Sequence, residues 1–154
     1  MMKKHFARFL LFICIFSLCL GPLGAAEATG ADVATPNRAS DYIDSYAALS
    51  NTGAKREVII SYDIVATNYM ERIGVAHIVV QEKNGSTWRG VATYWGSVAN
   101  GMMVTNAITH FGSVSYNGTS GKQYRAVVTF YAGDAEDDTR GDYRTKTTTA
   151  VTAQ

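Results

Sequence analysis

Three groups of residues in this 154-residue chain have types and spacing that could do chemistry. Arg140-Gly141-Asp142 sets a guanidinium and a carboxylate on either side of a glycine. On an exposed turn that is the form integrins read, although three common residue types also fall together by chance. The sequence predicts a loop there, with Gly141 at its apex. Immediately upstream, Asp134-Ala135-Glu136-Asp137-Asp138 puts four carboxylates into five residues. Calcium takes six to eight oxygens from such groups, and Asp134, Glu136 and Asp138 follow the first half of an EF-hand loop. Thr139 stands where that loop needs glycine and Thr145 where it needs a bidentate glutamate. The expectation is therefore a solvated acidic tip, with a weak calcium site as the alternative.

The third group is aromatic. Trp88, Tyr94 and Trp95 offer flat apolar faces with polar edges, as a sugar-stacking platform requires. Strict alternation puts Trp88 and Tyr94 on one face and Trp95 on the other, so one tryptophan is expected in the core. Trp95 with Met102 and Met103 is expected to form an exposed apolar patch suited to binding.

Catalytic readings find little support. After residue 26 the only histidines are His77 and His110, in different predicted strands, and there is no HExxH, no GxSxG and no cysteine. Gly118-Thr119-Ser120-Gly121 leads into a strand, not into the helix N-terminus that a phosphate loop serves. A non-enzyme without cofactor is expected. Asn84-Gly85-Ser86 and Asn117-Gly118-Thr119 match the N-glycosylation pattern but read as turns.

These groups need a scaffold, and the first 26 residues say where it works. Lys3, Lys4 and Arg8 precede an apolar run from Phe9 to Leu20, then Gly21-Pro22 and the small residues Gly24-Ala25-Ala26. That order is a secretory signal peptide, and its core is short for a membrane span. Cys14 and Cys19 both lie inside it, without the small preceding residue a lipoprotein would need. Release leaves a cysteine-free product of net charge about −2, expected to be extracellular, monomeric and off the membrane. With Lys and Arg unclustered beyond Lys55-Arg56, nucleic acid is not an expected partner. Residues 27–39 read as a flexible leader and residues 40–154 as the folded domain.

Within that domain Asn- and Gly-rich turns punctuate segments rich in Val, Ile, Thr and Tyr, and no 3.6-residue apolar repeat appears. Seven strands are predicted: 41–49, 57–67, 73–83, 87–95, 106–116, 123–132 and 143–151. In the second, Val58, Ile60, Tyr62 and Ile64 face inward against Ser61, Asp63 and Thr67. In the third, Ala76, Ile78 and Val80 oppose His77, Gln81 and Lys83. Seven short antiparallel strands point to an all-β, immunoglobulin-like sandwich. Tyr124 would be its corner tyrosine, hydrogen-bonded to the preceding turn, and Ala126 the small residue at the inward position that cysteine holds in antibodies.

Ser40-Asp41-Tyr42-Ile43, Ile73-Gly74 with Ile78, Glu82-Lys83-Asn84-Gly85-Ser86-Thr87-Trp88, and Gly121-Lys122-Gln123-Tyr124-Arg125-Ala126 leading to Thr129-Phe130-Tyr131-Ala132-Gly133 together resemble a family of short secreted proteins of Gram-positive anaerobes, a domain of unknown function. The resemblance covers nearly all of the chain beyond the signal. It implies export and a β-sandwich, and no active site. Trp95 to Thr105 and the acidic loop read as the variable positions, where individual specificity would reside. A binding or adhesion module is the expected function, acting on an extracellular protein or glycan. The alternatives are a structural or host-interaction factor and a carbohydrate-binding module.

Overall fold

The computed structural model describes residues 40–134 and 140–154; the signal and leader segments, Glu136 and Asp138 lie outside them. The described residues form seven strands: β1 (Ile43–Thr52), β2 (Glu57–Asn84), β3 (Thr87–Trp95), β4 (Met103–Asn117), β5 (Gln123–Gly133), β6 (Gly141–Thr147) and β7 (Val151–Thr152). All pair antiparallel in one curled sheet. The fold is all-β, as its turn spacing and β-branched content require.

Its organiser is β2, a single strand of 28 residues where the sequence predicts two. The first half of β2 pairs with β1 on one side and β4 on the other, from Val58↔Thr52 and Val58↔Tyr116 onward. The second half pairs with β3 and β5, as in Ile78↔Tyr94 and Ile78↔Val128. Val58, Ile60, Tyr62, Ile64 and Ala66 point inward in unbroken alternation. The phase then slips twice, because Ile73 and Val75 are inward and so are Ile78 and Val80. Ala76 is an extra residue opposite β5, between Val75↔Phe130 and His77↔Thr129. Extra residues of this kind bend a strand and sharpen its twist. A larger irregularity between Val65 and Met70, whose partners are Thr109 and Ala107, separates the halves, and just beyond it Asn106 takes a left-handed conformation (φ 51°).

Bending brings the two halves onto one core with β1 and β5. Val58, Ile60, Ile64, Ile73, Val75, Ile78, Val80, Val128 and Phe130 are fully buried there. Burying each such side chain contributes about 1.5–3 kcal/mol. Phe130 meets the Tyr46 ring at 5.2 Å, locking β1 over β5. At the bend, β4 crosses so close to Gly74 that a Cβ there would fall on the Met102 carbonyl and 2.7 Å from Met103 Cα. Gly74 also holds φ at +150°, so two independent constraints demand glycine.

The last predicted strand is broken into β6 and β7. Thr148 turns inward between them, its backbone N–H donating to Ala126 O (2.9 Å) and its hydroxyl accepting from Ala126 N–H (2.9 Å). The same hydroxyl bonds Ser50 Oγ at 2.6 Å, which ties β1 to β5 through a buried polar contact.

Candidate functional site

Two bulges decide which side chains reach the outer face of the second half. One is Ala76. The other is in β3, where Val80↔Ala92 is followed by Gln81↔Gly90 and Val91 is the extra residue. Strict alternation would separate Trp88 from Trp95, but one added residue restores them to the same face. Neither tryptophan is in the core, which corrects the expectation that one would be. Trp88 lies under the Arg125 guanidinium at 4.4 Å, and Arg125 Nε donates to Gln81 Oε1 at 2.8 Å. Trp95 is 71% exposed, with its ring 5.2 Å from that of His77.

From Trp95 a line of polar groups crosses four strands. His77 Nε2 is 3.2 Å from Thr129 Oγ1, and Thr129 Oγ1 is 3.3 Å from Thr145 Oγ1. Thr129 is buried at the floor while Thr145 is exposed at the rim. Strands about 4.8 Å apart make this row about 14 Å long. The next row holds the half-exposed Tyr143, its ring tilted against that of buried Tyr131 at 4.8 Å.

Met102 and Met103 do not join Trp95. They are 5% and 6% exposed, Met102 within the core, so the expected three-residue apolar patch does not form. The side-chain-free surface of Gly74 admits the β4 backbone at this point and draws both methionines in. The Trp95–Met103 connection is instead closed by Asn100, whose side chain donates to Trp95 O (2.7 Å) and accepts from Ser97 N–H (3.0 Å) and Met102 N–H (3.1 Å).

Arg140-Gly141-Asp142 is likewise placed differently from the exposed turn expected of it. Gly141 opens β6, paired with Gly133, and Asp142 pairs with Ala132 inside the ladder. The Tyr131 ring lies across Gly133 and Gly141, and a Cβ on Gly141 would come within 2.7 Å of that ring and of Ala132 O. Gly141 is thus a packing glycine and not a turn apex. Ser40 Oγ donates to the Asp142 carboxylate, with Arg144 3.7 Å away, and Arg140 pairs with Asp134 at 3.3 Å. Among the described residues no group of three His, Cys, Asp or Glu could hold a metal, and of the proposed calcium ligands only Asp134 is described.

His110, on β4 opposite Ile64, faces inward with its ring 5.9 Å from Tyr62. Burial lowers its pKa below the ordinary 6.5, and the Gly101 backbone partly offsets this. It is remote in register from His77, so the two histidines do not form a pair. Tyr124 is fully buried; its hydroxyl donates to Glu82 Oε2 (2.7 Å) and accepts from Thr119 N–H in the preceding turn (2.9 Å). Tyr116 packs on it at 5.4 Å, and burial foremost raises the Tyr116 pKa.

On the outer face of the first half, Ala47, Leu49, Ser61, Asp63, Phe111 and Ser113 surround a shallow depression of about 480 Å³. This face was not anticipated from sequence, although Phe111 in an alternating segment was a signal for it. Comparison with protein-family models, with curated proteins and with solved structures finds no match.

Proposed function

We propose that this chain is a secreted, non-catalytic binding module, and that its ligand is a glycan seated on the Trp95 row. The reading includes export by the N-terminal signal and a sandwich of the immunoglobulin type, in keeping with the resemblance to small secreted proteins of Gram-positive anaerobes. One observation carries it: an exposed tryptophan at the head of a hydrogen-bonded row, Trp95–His77–Thr129–Thr145. A sugar ring presents an apolar face and an equatorial rim of hydroxyls. Indole takes the first, and imidazole and threonine hydroxyls take the second. Trp88 on the same face, six ladder steps or about 20 Å from Trp95 once the extra Val91 is set aside, supplies a second stacking surface for an extended chain. The depression beside Phe111 suits this ligand less, since Ser61, Asp63 and Ser113 are its only polar side chains on the outer face and no indole flanks it.

A glycan and host-protein array with the purified protein, with and without calcium, tests the reading. A saturable glycan signal that Trp95→Ala removes and Phe111→Ala leaves intact is the expected result. A blank array from well-folded protein would move the weight to a structural or host-interaction role.

A further inference from the structure

Among the described residues β1, β3, β4, β6 and β7 each pair with a single neighbour, and of the four longer ones β1 carries Asp44, β3 Arg89 and β6 three charges, while β4 carries none. Edge strand β6 carries Asp142, Arg144 and Lys146 in register with core residues Ala132, Phe130 and Val128, so its charges face inward, a device that discourages strand addition. Edge strand β4 is more than twice as long, 15 residues against 7, and holds no Lys, Arg, Asp, Glu or Pro. Among the described residues it pairs with β2 alone.

Two hydrogen bonds fix which backbone groups of β4 point away from β2. Just past the strand end, Gly118 N–H donates to Arg56 O at 3.0 Å, so even-numbered residues bond to β2. Consistently, Ser115 O accepts from the Tyr94 hydroxyl of β3 at 3.0 Å and so points outward. The N–H and C=O groups of Thr109, Phe111 and Ser113 therefore project from the edge. Tyr94 closes the row at Ser115, and the irregular backbone at Asn106 closes it at the other end. What is left is a run centred on Phe111, which is 78% exposed.

We propose that β4 is a self-association edge, on which a second copy of this chain pairs antiparallel about a two-fold axis at Phe111. The occupant follows from the symmetry of the run. Such an axis sets Phe111 opposite the partner's Phe111, and Thr109 opposite the partner's Ser113. Aromatic pairs and hydroxyl pairs are both favourable directly across antiparallel strands. About six backbone hydrogen bonds would form, and no like charges meet. The site is separate from the Trp95 row, so it stands or falls without the glycan reading.

Sedimentation equilibrium of the purified protein over a wide concentration range tests this. A monomer–dimer equilibrium is expected. Phe111→Lys, which opposes two ammonium groups at the axis, should weaken it at least 100-fold, and so should Ser113→Pro, which removes an outward N–H without touching the ladder to β2. Leu49→Lys, on the same face but on β1 across the sheet from β4, should leave the dimer intact. Circular dichroism confirms that each variant is folded. A monomer at every concentration, or a dimer that survives both edge variants, overturns the proposal.

Discussion

The two halves of β2 share a core and differ outside it. On the first half the outer face is small and nearly uncharged: Ser61, Ser113, Ala47 and a lone Asp63 between Leu49 and Phe111. On the second half the outer face is built of rings and hydrogen-bonding groups, Trp88 with Arg125 and Gln81, then Trp95 with His77, Thr129 and Thr145. Core chemistry cannot account for the contrast, because inward residues on both halves are the same Val, Ile and Tyr. The difference teaches that the bend divides labour: one face offers backbone edge and apolar surface, the other offers directional polar contacts.

The bend is the most sensitive point of that arrangement. Gly74→Ala adds a Cβ against the β4 backbone at a φ of +150° and should destabilise the fold by about 4 kcal/mol, read from urea unfolding. Gly85→Ala also meets a positive φ, +61°, but open space, and should cost only about 1 kcal/mol. Equal costs would remove the claim that close backbone approach at Gly74 fixes the bend.

Next in size is the corner of the second half. Tyr124→Phe leaves the Thr119 N–H and the Glu82 carboxylate without their shared hydroxyl and should cost about 2 kcal/mol. A cost below about 0.5 kcal/mol would show that solvent takes over both contacts.

How much of this could be read from the chain depends on whether local spacing survives. Val58 to Ala66 was legible because no extra residue interrupts the period of two, and Tyr124 because its partner lies only five residues upstream. The faces of Ile78 and Val80 against His77, Gln81 and Lys83 were legible as well, whereas those of β3 and of Val75 were not, since a single inserted residue at Val91 or Ala76 reverses the alternation on either side of it without altering composition. Continuity of β2 was hidden for the opposite reason: Asn68 and Glu71 look like loop residues, yet the strand runs through them. Met102, Met103 and Gly141 misled because their environments are made by Gly74 and Tyr131, which are distant in sequence. The Trp95 row joins four strands, so its hydroxyls acquire meaning only in register.

Protonation acts more gently, and on both halves. Burial lowers the His110 pKa from 6.5, so the unfolded chain takes the proton more readily than the folded one. Stability from this group is complete above pH 6.5 and is lost as pH falls through the lower folded-state value. His110→Gln should flatten the acid limb of a stability–pH curve, and an unchanged limb would assign it to other groups. At the alkaline end, burial raises the pKa of Tyr62, Tyr94 and Tyr116 above 10. Their contribution is complete below pH 10 and is lost as pH rises through the raised values, visible as late tyrosinate absorbance that advances on unfolding.

The smallest stability effects should fall on the two residues with the largest functional ones. Among the described residues Trp95 and Phe111 are the most exposed large apolar side chains, at opposite ends of the contrast between faces. Replacing either with Ala removes little buried area, so each should change the monomer's stability by less than about 1 kcal/mol. Trp95→Ala should abolish glycan binding and leave the oligomeric state alone, while Phe111→Ala should weaken the dimer and leave glycan binding alone. If the two variants instead fail together in both assays, the faces are coupled through the shared strand β2, and the division of labour between its halves is the idea that has to go.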